Sequence, residues 1–291
     1  MENMPPLNIL VIGAHPDDCE IRCGGTAARF AAAGHHVKFV AVTEGSAGHH
    51  LNPGPETAKR RRAEAQEAGR RLGIAEVEVL PLADGFLEPS MANRLEIIRL
   101  IRQWHADIVI THRPNDYHAD HRYTSTLVQD AAYLVLVPRV CPEVAVLRAN
   151  PMFLYMEDAF QKPWQFTPSI VVDISSVWER KIAGLDAHGS QFYEWLPWVG
   201  GGSPKRSAID GNMAGGVPTV DESGVPETAE ARLRWLDAKF RQAGVQDSVR
   251  SAFSIRYPNH TPDAPILAEA FELCEYGRQP SQSELDELFP K

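Results

Sequence analysis

Two short stretches of the 291-residue chain gather side chains that can hold a metal or move a proton. The first is Ala14-His15-Pro16-Asp17-Asp18, one imidazole and two carboxylates within four residues. Such groups are costly to bury unless they bind something. Taken alone, the stretch reads equally well as a solvated turn, with Pro16-Asp17 as turn chemistry and Asp18 capping the next helix. The second stretch is His112-Arg113-Pro114-Asn115-Asp116-Tyr117-His118-Ala119-Asp120-His121. Histidine and aspartate are common zinc ligands, and a catalytic zinc keeps one position open for water beside three protein ligands. His15, Asp18 and His121 can supply two nitrogens and one oxygen, leaving Asp17 and His118 for proton transfer. Spacing does not by itself select those three over His118 or Asp17.

The surrounding pattern determines where these clusters fall. Leu7 to Gly13 is a short apolar run closed by glycine, the pattern of a buried parallel strand, so the first cluster follows a strand directly. Gly24 to Ala33 reads as a helix ended at Gly34, and His36 to Val42 as a second strand. A charged helix over Thr57 to Leu72 stops at Gly73, followed by a strand at Val77 to Leu80, a helix at Met91 to Trp104 and a strand at Asp107 to Thr111. The second cluster therefore also follows a strand. Strands alternating with helices predict an α/β fold, a mostly parallel Rossmann-like sheet with helices on both faces. In such sheets ligands bind at the carboxyl ends of strands. Beyond residue 150, strands are expected at Met152 to Met156 and Ser169 to Ile174, helices at Val177 to about Tyr193 and Thr228 to Arg241, and a closing element at Ala264 to Tyr276. Glu194 to Pro226, rich in glycine and proline and carrying Trp195 and Trp198, reads as a long loop insertion. No linker divides two cores, so residues 1–291 are expected to form one domain.

Composition narrows the function classes. With 29 basic and 38 acidic residues the net charge is −9, which argues against nucleic acid or an anionic membrane as partner. Hydrophobic residues make up 44% and charged residues 23%, ordinary for a folded, soluble protein. Met1 to Pro6 lacks the basic lead of a secretory signal, and four cysteines in so long a chain fit reduced thiols, which together give a cytoplasmic expectation. Cys19, although a thiol beside Asp18, is assigned to packing. His35-His36 and His49-His50 are weaker metal candidates, because neighbours on a strand point to opposite faces and the second pair sits in a loop without supporting spacing. A dinucleotide site is disfavoured, since Gly13-Ala14-His15-Pro16-Asp17 lacks the G-x-G-x-x-G turn and puts carboxylates where a pyrophosphate would lie.

The A-H-P-D-D run at Ala14 to Asp18 and the H-x-D-H run at His118 to His121, each after a strand, together resemble the PIG-L/LmbE family of zinc-dependent N-acetyl-sugar deacetylases. Weaker echoes run through Thr43-Glu44-Gly45, Arg61-x-x-Glu64, Asp84-Gly85, His188-Gly-Ser-Gln191 and Ala268-Glu-Ala-Phe271, so the resemblance covers most of the chain. It implies a zinc ion held by His15, Asp18 and His121, with iron(II) an alternative of suitable chemistry. It also implies Asp17 as general base and His118 as an oxyanion-stabilising imidazolium oriented by Asp120. Either His118 or the newly protonated Asp17 could donate to the leaving amine. Arg61 and His188 are implied as substrate contacts, against the bland readings that the basic run Lys59 to Arg62 is a solvated face, with Glu64 neutralising Arg61, and that His188 is structural.

The implied substrate is a small N-acetylated sugar or conjugate. A zinc amidase acting on a non-sugar acyl amide is the nearest alternative, and a non-catalytic metal- or carbohydrate-binding protein is a second. Trp195 and Trp198 in the insertion could stack on a sugar face or seal an interface between copies of a homo-oligomer.

Overall fold

The computed structural model describes residues 5–52, 54–200, 224–261 and 264–291. Seven strands form one sheet: β1 (Asn8–Gly13), β2 (His36–Thr43), β3 (Glu76–Leu82), β4 (Ile108–Thr111), β5 (Met152–Met156), β6 (Ile170–Asp173) and β7 (Ala268–Gly277), in the order β3-β2-β1-β4-β5-β7-β6. β1 to β5 pair in parallel, and β7 runs antiparallel between β5 and β6. Chain order reverses between β1 and β4, whose registers place Ile12 beside Thr111. A crevice at the carboxyl ends of these two strands follows from that reversal.

β1 is apolar from Ile9 onward because both of its faces are covered. Ile9 and Val11 join the core beneath α1 (Asp18–Ala32), whereas Leu10 and Ile12 join the opposite core. That second core is built with α3 (Met91–Gln103) and α4 (Ala119–Leu134). α2 (Pro55–Leu72) begins on proline and stops at Gly73, whose φ of 81° is the left-handed cap expected of it. α5 (Trp178–Asp186) and α7 (Ala229–Ala243) lie on the α1 side, with α8 (Asp247–Arg256) and α9 (Gln282–Leu288) completing the C-terminal part.

Several boundaries differ from the sequence reading. α1 starts at Asp18 rather than Gly24, because the turn at Pro16-Asp17 feeds straight into the helix. The helix expected over Val177 to Tyr193 breaks at Ala187–His188 and resumes at Gly189. The expected loop at Glu194 to Pro226 is helical at its start, with a π turn at Gln191–Trp195 leading into α6 (Leu196–Gly200); residues 201–223 lie outside the described residues. The closing element is the antiparallel strand β7, followed by α9.

Glu269 on β7 joins these layers. Its buried carboxylate accepts from the Gly25 and Thr26 backbone N–H groups of α1 at 2.8 and 2.7 Å and from Lys181 Nζ of α5 at 2.6 Å. Lys181 Nζ also donates to Ile21 O at 2.9 Å. The Ala268-Glu-Ala-Phe271 run thus has a structural task, holding α1 against the sheet.

Candidate active site

The two clusters meet in the crevice between β1 and β4. Gly13 allows the approach, since a Cβ there would lie 2.7 Å from Asp18 Cβ. Asp17 takes a φ of 141°, a conformation that costs a non-glycine residue about 1–3 kcal/mol and persists only where its surroundings impose it.

Ligand-type atoms gather among the described residues in three overlapping groups, each within 4.8 Å: His15–His118–His121, Asp18–His112–His121 and His15–Asp84–Asp120. His15 Nδ1 lies 3.2 Å from His121 Nε2 and 3.4 Å from Asp18 Oδ2, and His121 Nε2 lies 3.4 Å from Asp18 Oδ1. The far nitrogen of each ring faces carboxylates. His15 Nε2 is 3.2 Å from Asp84 Oδ1 and 3.3 Å from Asp120 Oδ2, and His121 Nδ1 is 3.1 Å from Asp116 Oδ1. With the outer nitrogens protonated, the two inner nitrogens turn lone pairs toward one another, an arrangement that calls for a cation between them. A tetrahedral zinc with ligands at about 2.0–2.1 Å spaces its donor atoms about 3.3 Å apart. The His15–His121 separation fits that spacing, and the Asp18 carboxylate turns Oδ2 to His15 and Oδ1 to His121 at a similar distance.

Electrostatics agree with the geometry. Burial opposes charge on His15, yet Asp120, Asp18 and Asp84 hold its pKa well above the ordinary histidine value, so this position attracts positive charge. Asp18 keeps its charge despite burial because His121 and His112 lie beside it. His112, pushed the other way by burial and by His121, accepts from the Ala14 N–H at 3.0 Å and stacks on the His121 ring at 4.1 Å.

Asp17 stands next to this group without belonging to any of the three. Burial raises its carboxyl to about 6, against the pull of Arg61, whose Nη2 is 3.3 Å from Asp17 Oδ1. Arg61, 3% exposed, also donates to Pro16 O and Gly45 O. Side chains at Gly45 or Gly48 would meet its guanidinium at 2.8 and 2.4 Å, so the glycine-bearing loop after β2 is shaped around it. Arg61 therefore lies behind Asp17 rather than on an open wall where a substrate could reach it, and it is not on a solvated face either. Its expected neutraliser, Glu64, pairs instead with Arg60 at i,i+4 and accepts from Ser190. His188 is likewise fully buried, with Nε2 3.3 Å from Glu20 Oε1. Burial opposes its charge, but Glu20, Asp17 and Glu64 together raise its pKa. The two expected substrate contacts are thus both enclosed by protein groups in this arrangement.

His118 also departs from its expected state. As the N-cap of α4 its Nδ1 accepts the Asp120 backbone N–H at 3.1 Å, which requires an unprotonated Nδ1. Burial, His15 and His121 lower its pKa to about 4. The cap contact and the lowered pKa both favour a neutral imidazole with Nε2–H as donor over the expected imidazolium. The Asp120 carboxylate faces His15 and accepts from the Gly85 and Leu87 N–H groups at 2.7 and 3.3 Å, so Asp120 orients His15 by its side chain and His118 by its backbone.

The remaining candidates take other roles. Cys19 is a buried thiol against Val11 O and Val40 O. His35 accepts from the Leu7 N–H, and His36 is exposed. His49 contacts Glu194, while His50 stacks on Trp198 at 4.6 Å and Trp198 stacks on Trp195 at 5.2 Å, with both tryptophans half-buried. Three site residues had no role in the sequence reading: Asp84, His112 and Asp116. The available signal was their position, since each follows the carboxyl end of a strand.

A mostly parallel sheet with a histidine–carboxylate cluster at its switch point defines an α/β protein built around a metal-type site. The family model PIG-L, GlcNAc-PI de-N-acetylase, matches residues 10–132, and the chain belongs to this family. It is 30% identical over 197 residues to diacetylchitobiose deacetylase of Thermococcus kodakarensis, covering 65% of this chain and 73% of that protein. It is 27% identical to 4-oxalmesaconate hydratase of Pseudomonas putida, covering 66% of this chain and 77% of that one. The crystal structure of GalB, the 4-carboxy-2-hydroxymuconate hydratase from Pseudomonas putida KT2440, shares the fold with a TM-score of 0.67 at 19% identity, covering 96% of this chain and 99% of that one.

Proposed function

We propose that this chain is a zinc-dependent hydrolase that removes the acetyl group from the nitrogen of an N-acetyl-amino sugar or its conjugate. The observation that supports the reading is the close approach of His15 Nδ1, His121 Nε2 and the Asp18 carboxylate, with the carboxylate of Asp17 alongside. His15, Asp18 and His121 hold the ion. Bound there, it supplies Lewis acidity to the acyl carbonyl and to the attacking water.

Asp17 takes the water's proton, and its carboxyl near 6 suits a base working close to neutrality. Arg61 fixes that carboxylate from behind through contacts with Asp17 and with Pro16 O, and His188 adds positive potential from the same side. The Nε2–H of His118 is the donor for the oxygen that gains charge during attack. The proton held by Asp17 then passes to the departing amine. Asp84, Asp116 and Asp120 hold the two imidazoles in the required tautomer.

A second reading follows from the hydratase relative, in which the same activated water adds to a polycarboxylate. The site's charge favours a neutral substrate. Asp17, Asp18, Asp84, Asp116 and Asp120 converge there against the Arg61 guanidinium, the His188 imidazole and a divalent ion, which leaves acid charge in slight excess.

One seven-stranded sheet bears both clusters, which supports reading residues 1–291 as one domain. The four cysteines are free and buried, consistent with a reducing cytoplasm. No helix among the described residues is long and apolar enough to cross a membrane.

The test combines metal content with acetate release from N-acetyl-amino sugars, for wild type and His121→Ala. About one zinc per chain with acetate release, both lost in the variant, is the expected result. Bound metal without acetate release, together with water addition to an unsaturated polycarboxylate, would establish the hydratase instead. Iron rather than zinc in the purified protein would revise the metal alone.

A further inference from the structure

In the run His188-Gly-Ser-Gln191, the two polar residues Ser190 and Gln191 are buried as fully as the histidine. Gln191 opens the π turn Gln191–Trp195, a geometry whose hydrogen bonds reach one residue further than an α-helix's and which recurs at functional positions. Its Nε2 donates to Gly48 O at 3.0 Å and to Ser190 Oγ at 3.0 Å. Ser190 is itself tied to α2, its N–H and Oγ both donating to the Glu64 carboxylate, at 2.9 and 2.5 Å. At the other end of the turn, Glu194 accepts from both Arg60 Nη groups at 2.8 and 2.6 Å and lies 2.9 Å from His49 Nε2. The turn is therefore fixed at both ends to α2 and to the loop after β2.

That loop is the wall behind Arg61. Gly45 O accepts from Arg61 Nη1 at 3.1 Å, and Gly48 packs so close to the same guanidinium that a Cβ there would collide with it. Arg61 does not hold itself in place. Its buried Nε finds no hydrogen-bond partner among the described residues, and its contact with Asp17 Oδ1 is 3.3 Å long. The direction of the guanidinium toward Asp17 therefore depends on the backbone that backs it. The Ala47 N–H donates to Asp84 Oδ2 at 3.0 Å and the Gly48 N–H to Gly45 O at 3.3 Å, which holds the loop on the Asp84 side and within itself. Gln191 adds the hold from the opposite half of the chain, at the Gly48 carbonyl.

We infer that Gln191 is a positioning residue for the general base: it holds the Gly48 carbonyl, Gly48 backs the Arg61 guanidinium, and Arg61 fixes the Asp17 carboxylate. The inference rests on the reading of Asp17 as the base of the deacetylase. A side chain from the C-terminal half of the chain then sets the geometry of a base carried on the turn between β1 and α1. Gln191 itself touches neither substrate nor metal in this arrangement, so its loss should slow turnover without weakening the binding of either.

Gln191→Met keeps the volume of the side chain and removes the donor. In the zinc-loaded full-length protein it should lower kcat about tenfold or more, with KM and zinc content unchanged. In an Arg61→Lys background, where the guanidinium fork is gone, the same substitution should lower kcat by less than about twofold. An equal fall in both backgrounds would show that Gln191 acts by another route and would overturn the inference, as would a fall that follows loss of zinc. Hydrogen exchange provides a second readout. The Ala47 and Gly48 amides should exchange about tenfold faster in Gln191→Met, with the amides of β1 unchanged. Unchanged exchange at Ala47 and Gly48, or faster exchange in β1 as well, would overturn the inference. Should Gln191→Met fail to fold, Gln191→Glu, of the same size and also without a donor for Gly48 O, takes its place with the same expectations. Absence of acetate release from the wild type would overturn the deacetylase reading, and the exchange measurement would still decide whether Gln191 holds the loop.

Discussion

Two groups of charged residues are buried on either side of α1, and they are completed in opposite ways. At Lys181–Glu269 the carboxylate takes two backbone N–H groups and an ammonium, and the ammonium also reaches a carbonyl. The protein itself satisfies that pair, whose contribution is to fix α1, α5 and β7 together. At His15–Asp18–His121 the outer atoms are satisfied by Asp84, Asp116 and Asp120, and the inner atoms are left pointing at one another. Burial of charge does not distinguish a site from a strut; what distinguishes them is whether the protein's own groups complete the coordination.

Substitutions on each side should separate the two kinds of group. The largest effect is expected for His121→Ala, which should take metal content from about one ion per chain to near none and activity to background, with little change in melting temperature of the metal-free protein. Elemental analysis with an acetate assay checks it, and a variant that keeps both metal and activity would remove His121 from the ligand set. Next, Asp17→Asn should lower kcat by about 10²–10⁴-fold at full metal occupancy. Unchanged turnover would exclude Asp17 as the base. On the structural side, Glu269→Ala leaves Lys181 buried without a counter-charge and should cost about 3–5 kcal/mol in denaturant unfolding. The double replacement Lys181→Met with Glu269→Leu should recover much of that loss, whereas equal losses in both proteins would contradict the strut assignment. The smallest effect is expected for Asp116→Asn, with metal affinity weakened about 10–100-fold and turnover restored at saturating zinc. Competition with a chelator measures it, and an unaltered affinity would show that Asp116 does not support His121.

The parallel part of the fold was readable because a strand covered on both faces must be apolar throughout, as Ile9 to Ile12 and Ile108 to Ile110 are. The two clusters were readable for the same reason, each following such a run. β7 left a fainter signal, since Glu269, Glu272 and Glu275 interrupt its apolar residues, and the task of Glu269 emerges only once α1 and α5 pack beside it. The direction in which Asp120 points could not be inferred from H-x-D-H spacing. His118 takes up the capping position, and that places the Asp120 carboxylate against His15. Arg61 was expected at the site, but its place behind Asp17 was not legible, because the two glycines that admit its guanidinium lie 13 and 16 positions earlier in the chain. Asp84 arrives from β3, two strands from β1 in the sheet, so no local pattern links it to His15.

The backbone at Asp17 has a consequence for how this protein can be improved. A residue held at a φ of 141° is one that thermal selection would relax first, and glycine is the substitution that relieves the torsion most directly. The same exchange deletes the proposed base. Variants chosen only for heat resistance should therefore accumulate an inert form at position 17, and a screen for sturdier forms of this protein needs a turnover readout from its first round.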